Sequence, residues 1–211
     1  MIASLGAVGL GSFGSARQPA KLTEESLTPE PSPDTMAFDG PASVIDATKP
    51  YTATLKTNQG DIQIRFVTDA PQAVNSFVFL AGKGFYDGLA FFYVNPDLGA
   101  VAGDPTCRGD GEGVCSGVGG PGYTLPLEKS AEGHEAWSVV IPYITEGGQE
   151  VHGSQFRIIP KDDQRLDGKE TVLGKVVQGQ EIIQNLPACS LVNAGSCPST
   201  LVIQDVIVEP A

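Results

Sequence analysis

The chain has 211 residues, of which 41% are hydrophobic and 18% are charged. This length and composition suit one domain with a tail, and they exclude a chain that is disordered throughout. A formal net charge of -12 repels phosphate backbones, so nucleic acid is not an expected partner. The 26 glycines and 16 prolines favour a β-rich domain with many turns over a helical one.

The first segment, residues 1–16, carries no charge and includes several glycines. It is shorter than the roughly 20 apolar residues that a transmembrane helix needs. It lacks a basic n-region, although Gly14 and Ala16 suit a signal-peptidase site. We expect either a leader or the end of a membrane anchor. Both place the folded part outside the cytoplasm, in a periplasm or at a cell surface, as a secreted or membrane-tethered protein.

The second segment, residues 17–50, is rich in proline, serine and glutamate and poor in large apolar side chains. Such a segment cannot bury enough surface to offset the entropy lost when it becomes ordered. We expect an extended N-terminal tether that only a protein partner orders, for example a membrane complex.

The globular part, residues 51–211, begins with two strands of period two, Tyr51–Thr57 and Asp61–Phe66. The turn between them contains Asn-Gln-Gly and predicts a hairpin. After it, Asp69 is the predicted cap of a helix that Pro71 opens and that runs to about Gly82. Apolar residues recur at helical spacing along this segment, and we assign them to the core.

The rest of the domain reads as short strands bounded by turns, with few helices, which favours a closed β-barrel. A second helix is predicted over Gln180–Leu186. The strand candidates are Ala90–Val94, Trp137–Ile141, Gln155–Ile159, Thr171–Val177 and Leu201–Val208.

The four cysteines form two local pairs, Cys107 with Cys115 and Cys189 with Cys197, with seven residues between the members of each pair. Neither pair has C-x-x-C spacing and no histidine lies near them in sequence, so we expect neither a metal site nor a cofactor. Two loops closed by disulfides are the simplest interpretation, and they imply an oxidising compartment. The alternative is four free thiols in a cytosolic protein.

Two other groups of polar residues are candidate sites. Asp104, Asp110 and Glu112 could bind calcium, but their spacing fits no EF-hand loop, and solvated charges are the simpler interpretation. His134 and His152 lie beside no serine or cysteine in a nucleophile motif, which argues against hydrolase chemistry.

Seven motifs follow one another between Tyr51 and Glu209. They are Thr57–Ile62, Ala70–Phe77, Gly84–Gly88, Gly103–Thr106, Gly119–Tyr123, Gly153–Phe156, and Leu166–Lys169 with Val172–Val177. Their order over about 120 residues resembles that of the bacterial cyclophilins. The resemblance implies a mainly β fold, a closed eight-stranded antiparallel barrel capped by two helices. It also implies peptidyl-prolyl cis-trans isomerase activity.

Rotation about the peptide bond before proline has an uncatalysed barrier of about 18–20 kcal/mol. In the family, an arginine donates a hydrogen bond to the prolyl nitrogen and stabilises the twisted state. The family sequence Phe-His-Arg-Val corresponds here to Phe91, Phe92, Tyr93 and Val94. Tyr93 therefore stands at the arginine position. Losing such a donor costs on the order of a hundred- to a thousandfold in rate, so we expect no catalytic residue with full function.

The family's substrate groove maps onto a set of residues that departs from the family pattern at several places. Leu98 and Gly99 replace Phe-Met, Val101 replaces Gln, and Arg157 replaces Phe. Arg165 and Glu170 replace an aromatic or leucine and a histidine. By resemblance the groove contains Phe91, Tyr93, Leu98, Val101, Gln155, Phe156, Arg157 and Leu166.

Two functions follow from this pattern. The first is a cyclophilin-like pseudoenzyme that binds or braces partner proteins, and we expect this one. The second is a weak isomerase for proline-containing peptides, in which Tyr93 supplies the donor and Arg157 selects acidic residues next to proline. Gln155 either bonds the substrate backbone or holds a loop, and the sequence favours neither.

Overall fold

The computed structural model describes residues 36–144, 150–197 and 200–211. Within them lie eleven strands, two α-helices and one 3₁₀ turn at Gln164–Leu166. The helices are α1 (Pro71–Ala81) and α2 (Gln180–Gln184). The strands are β1 (Tyr51–Thr57), β2 (Gly60–Phe66), β3 (Tyr93–Asn95), β4 (Gly99–Ala102), β5 (Thr124–Pro126), β6 (Ser138–Ile141), β7 (Glu150–His152), β8 (Phe156–Ile158), β9 (Thr171–Gln178), β10 (Cys189–Ser190) and β11 (Ile203–Pro210).

Nine of these strands form one curled antiparallel sheet in the order β10-β3-β4-β8-β6-β9-β2-β1-β11, and β5 pairs separately with β7. Backbone hydrogen bonds also join Leu89 and Phe91, before β3, to Ile203 and Leu201, near the start of β11. The prediction of a mainly β fold with two helices is confirmed. The sheet has nine strands instead of the expected eight, and the closed barrel itself stays a prediction.

The core lies between the inner face of the sheet and α1. In the first hairpin, Leu55 and Ile62 are fully buried, as the period-two pattern predicts. Phe77 of α1 stacks on Tyr86 with ring centroids 4.7 Å apart and meets the edge of Phe156 at 5.7 Å. Each such buried apolar side chain contributes roughly 1.5–3 kcal/mol to folding.

The start of α1 is stabilised from a distance. The carboxylate of Glu128 accepts hydrogen bonds from the backbone N–H groups of Gln72 and Ala73, at 3.1 and 2.8 Å. These amides have no partner within the helix. A negative charge at this end of the helix also interacts favourably with the positive end of the helix dipole. The predicted cap is wrong, because the Asp69 carboxylate instead accepts from the loop at Ser130.

Residues 36–50 contact the domain although the sequence assigns them to the tether. Phe38 packs edge-on against Phe79 of α1, with ring centroids 5.1 Å apart. The Asn75 side chain donates to one backbone carbonyl of the segment at 2.9 Å and accepts from one of its amides at 2.8 Å. The folded part therefore begins before the predicted boundary. The predicted leader and the rest of the tether, residues 1–35, lie outside the described residues.

Both predicted disulfides form, Cys107 with Cys115 and Cys189 with Cys197. The loop closed by the second one begins with β10, which pairs with β3 along the edge of the sheet. The first disulfide belongs to a small cluster against which Tyr93 of β3 packs, so both cross-linked loops lie beside β3.

Across the part of the chain that the structure describes, no helix has both the length and the apolar character that a membrane span requires.

Replacing Glu128 with glutamine removes the charge and one acceptor from the start of α1. We expect the free energy of unfolding to fall by about 1 kcal/mol, because the two helix amides lose the charged carboxylate and keep only one amide oxygen as acceptor. Urea unfolding of wild type and E128Q measures this change. Glu132→Gln is the matched control, since that side chain is exposed and hydrogen-bonds to no described residue. Equal losses in both variants would contradict a capping role.

Candidate functional site

Three predicted groove residues lie side by side on the outer face of the sheet. Tyr93 of β3 is opposite Val101 of β4, and Val101 is opposite Arg157 of β8. All three are half-buried, whereas their neighbours in the same strands are buried, except Asn95 of β3. Since side chains alternate along a strand, Tyr93, Val101 and Arg157 point the same way. We call these three residues the outer row.

A glycine allows β4 to approach β8 closely. Gly99 has φ +110°, and a Cβ atom added to it would overlap the carbonyl oxygen of Ile158. Any side chain at this position would move the backbone of β8. The methionine that the resemblance places here therefore has no room in this chain.

Tyr93 packs against a small cluster that contains the first disulfide. Phe92, Cys107 and Cys115 form a small buried cluster, and Tyr93 and Val101 pack against it. No described residue exchanges a hydrogen bond with the Tyr93 hydroxyl. The phenol is thus held by packing, and its single neutral donor is available to a ligand.

The side chain of Arg157 is bound to a buried carboxylate. Its Nη2 donates to Oε2 of Glu170 at 2.6 Å, and the side chains are 18% and 2% exposed. This is a short, charge-assisted hydrogen bond. Sequence reasoning treated these two positions as separate departures from the family, and the structure shows that they are partners. Arg165 bonds instead to Asp163 on its own 3₁₀ turn.

A histidine that the sequence gave no role extends this pair. Nδ1 of His134 lies 2.9 Å from the Asp167 carboxylate, and its Nε2 lies 3.7 Å from Oε2 of Glu170, beyond hydrogen-bond length. Arg157, Glu170, His134 and Asp167 therefore form a continuous charged network. The sequence analysis names His134 and Glu170 but does not connect them, because their partners are distant in sequence.

The surroundings of His134 shift its pKa in two directions. Burial lowers the pKa, but the carboxylates of Glu170 and Asp167 raise it by more, so that it lies above its ordinary value. The pKa of Asp167 lies below its ordinary value because the backbone N–H and the ring of His134 both bond to it. The imidazolium form of His134 is therefore favoured by folding.

Gln155 holds a loop instead of facing outward. It is buried, and its Nε2 donates to the carbonyl oxygen of Gly119 at 2.8 Å. The same loop is held by Asp104, which accepts from Thr106, Ser116 and Gly119. Asp104 is fully buried, so the interpretation of a solvated charge is wrong for this residue. In the described part of the chain no cluster of His, Cys, Asp and Glu could hold a metal ion.

The other predicted groove residues do not belong to the outer row. Phe91 and Phe156 belong to the core, and their ring centroids are 5.9 Å apart. Leu98 lies on the turn between β3 and β4 and is 45% exposed. Leu166 ends the 3₁₀ turn and is half-buried. A ligand-binding role for the eight residues stays a prediction.

Comparison with known proteins agrees with this architecture. Residues 52–208 match the family model described as cyclophilin type peptidyl-prolyl cis-trans isomerase/CLD. The chain is 37% identical over 131 residues to the peptidyl-prolyl cis-trans isomerase of Helicobacter pylori, covering 61% of this chain and 74% of the relative. It is 32% identical over 210 residues to peptidyl-prolyl cis-trans isomerase-like 2 of Cryptococcus neoformans, covering 93% of this chain. The chain spans only 35% of the length of that second relative.

A solved structure shows the same fold. The cyclophilin type peptidyl-prolyl cis-trans isomerase of Cryptosporidium parvum superposes with a TM-score of 0.62 at 22% identity, covering 77% of this chain and 99% of that one.

Replacing His134 with glutamine tests the charged network through pH. A pKa raised by folding adds stability below the ordinary histidine pKa of about 6.5, and this stability is lost as pH rises through the raised value. We expect the stability difference between wild type and H134Q, measured by urea unfolding, to be larger near pH 5.5 than near pH 8.5.

His152→Gln is the matched control for this measurement. Burial lowers the pKa of His152, so this residue opposes folding at low pH and its removal should give the reverse trend. A stability difference for H134Q that does not change with pH would contradict the network.

Proposed function

Because the chain belongs to the cyclophilin-type peptidyl-prolyl cis-trans isomerase family, we propose that it is a binding module for proline-containing segments of proteins, with strongly reduced catalysis. One observation carries this proposal. The outer row presents the hydroxyl of Tyr93 at the family's arginine position, and the guanidinium of Arg157 in the same row is bound to Glu170.

Catalysis in this family needs a cationic donor at the prolyl nitrogen. Tyr93 offers one neutral hydrogen bond, whereas a guanidinium offers several charge-assisted ones. Arg157 and Arg165 are each engaged by a carboxylate, Glu170 and Asp163. Bringing either guanidinium to Tyr93 would break a salt bridge, and in the case of Arg157 would leave a buried charge unpaired.

Binding is supported by the rigidity of the surface around the outer row. The strand β3 is flanked by two disulfide-closed loops, and Asp104 and Gln155 hold the loop that follows β4. A surface that is already ordered loses little conformational entropy when it binds an extended peptide. Retained binding without efficient turnover is therefore compatible with this geometry.

The proposed location is outside the cytoplasm. Both pairs of cysteines are joined, and structural disulfides persist in oxidising compartments. We place the partner protein in the same compartment. The same proposal includes a membrane complex as the partner that orders the N-terminal residues.

The hydroxyl of Tyr93, which has no hydrogen-bond partner among the described residues, favours a second candidate, a weak isomerase with altered specificity. In that case the hydroxyl donates to the prolyl nitrogen and supplies the remaining rate enhancement. The two candidates differ in what removal of this hydroxyl does.

The test is an isomerisation assay by NMR exchange on a blocked Ala-Pro peptide. The Helicobacter pylori relative serves as the active reference. We expect wild type to be at least about 100-fold slower than the reference, because the cationic donor is missing. Tyr93→Phe should leave this residual rate unchanged, whereas a loss of the residual rate would favour the weak isomerase. A wild-type rate within about tenfold of the reference would overturn the proposal.

A further inference from the structure

Arg157 is the cation of the outer row, and the inference about it rests on the proposed peptide-binding function. We propose that Arg157 makes this surface selective for peptides with a carboxylate next to proline. In this proposal Glu170 and His134 set the strength of that selectivity, because the arginine and the histidine compete for the same carboxylate oxygen.

The guanidinium of Arg157 has donors left over for a ligand. A guanidinium carries five N–H groups, and only Nη2 is bound, to a single oxygen of Glu170. Nε is buried, so a ligand does not reach it, whereas Nη1 bonds to no described residue and belongs to a side chain that is 18% exposed. Because Arg157 lies beside Val101 in the outer row, a peptide on this row passes next to Nη1. A carboxylate is the acceptor that fits a guanidinium best.

One oxygen atom of Glu170 lies between the guanidinium of Arg157 and the ring of His134. Oε2 of Glu170 lies 2.6 Å from Nη2 of Arg157 and 3.7 Å from Nε2 of His134. Nε2 of His134 is buried and has no hydrogen-bond partner among the described residues. When His134 is protonated, its ring attracts Oε2, and the hold of Glu170 on Arg157 weakens. The charge of Arg157 then becomes available to a ligand.

The other charged groups near His134 are accounted for. Asp167 binds Nδ1, which keeps Nε2 directed at Glu170. Lys175 is engaged by Glu135 at 2.6 Å and lies on the exposed side. The charged residues that line the two cavities beside the imidazole are Glu132, Glu135, Asp162, Asp167, Glu170 and Lys175.

The direction of the pH effect follows from these contacts. At low pH the network contains two cations and two carboxylates, and at high pH it loses the histidine charge. A ligand carboxylate is therefore bound more strongly at low pH. Burial lowers the pKa of His134, but Glu170 and Asp167 raise it by more, so the change falls above the ordinary histidine pKa.

The experiment compares two peptides with acetylated and amidated ends, Ala-Glu-Pro-Ala and Ala-Gln-Pro-Ala. Their dissociation constants for the full chain are measured by NMR titration at about pH 6 and pH 8.5, and the glutamate of the peptide is ionised at both values. We expect about fivefold tighter binding of the acidic peptide at the lower pH and about twofold at the higher.

Variants separate the contributions of the network. Arg157→Met should abolish the preference, and Arg165→Met is the matched control that should keep it. Glu170→Gln should bind the acidic peptide about fivefold more tightly at both pH values, since the carboxylate that competes for Arg157 is gone. His134→Gln should show only the about twofold preference at both pH values. This second variant keeps the test decisive where E170Q does not fold.

The outcomes distinguish this inference from the function on which it rests. Equal binding of both peptides at both pH values overturns the selectivity and leaves the proposed binding function intact. A preference that survives in R157M also overturns it, because another cation would then be responsible. If neither peptide binds at any concentration tested, the proposed function itself fails.

Discussion

The salt bridge between Arg157 and Glu170 is the constraint on which the candidate site depends. A buried carboxylate without a cation costs several kcal/mol, so Glu170 is tolerable only with a partner at hand. The family places an aromatic residue and a histidine at these two positions. Here a cation and an anion occupy them together, which makes the two departures one coupled change. The same pair holds the guanidinium of Arg157 at Glu170, away from the arginine position, which Tyr93 occupies.

The strand that carries Tyr93 is held on two sides by covalent bonds. The disulfide of Cys107 and Cys115 belongs to the cluster against which Tyr93 packs, and the loop of Cys189 and Cys197 pairs with the edge of β3. Small cross-linked loops lose little entropy on folding because the unfolded chain is already constrained. A rigid surface with a tyrosine at the arginine position is what the proposed binding module requires.

Local patterns predicted much of the fold, whereas contacts distant in sequence stayed hidden. The hairpin and α1 followed from periods of 2 and 3.6, and both disulfides followed from cysteine spacing. The cap from Glu128 lies more than fifty residues from the amides it binds, and no local signal identifies it. The partnership of Arg157 with Glu170, and the role of His134, likewise join residues that are not neighbours in sequence. The sequence analysis does not predict four short strands, β4, β5, β7 and β10. Each of them has only two to four residues, too few for a period-two pattern to be recognised.

The most direct test of the account is a double-mutant cycle on the free energy of unfolding. It uses Arg157→Met, Glu170→Gln and the double variant, all measured by urea unfolding at neutral pH. We predict that the double variant loses less stability than the two single variants together, with a coupling energy of about 1–3 kcal/mol. Additive losses, with no coupling between the two positions, would contradict the salt bridge and with it the proposed site.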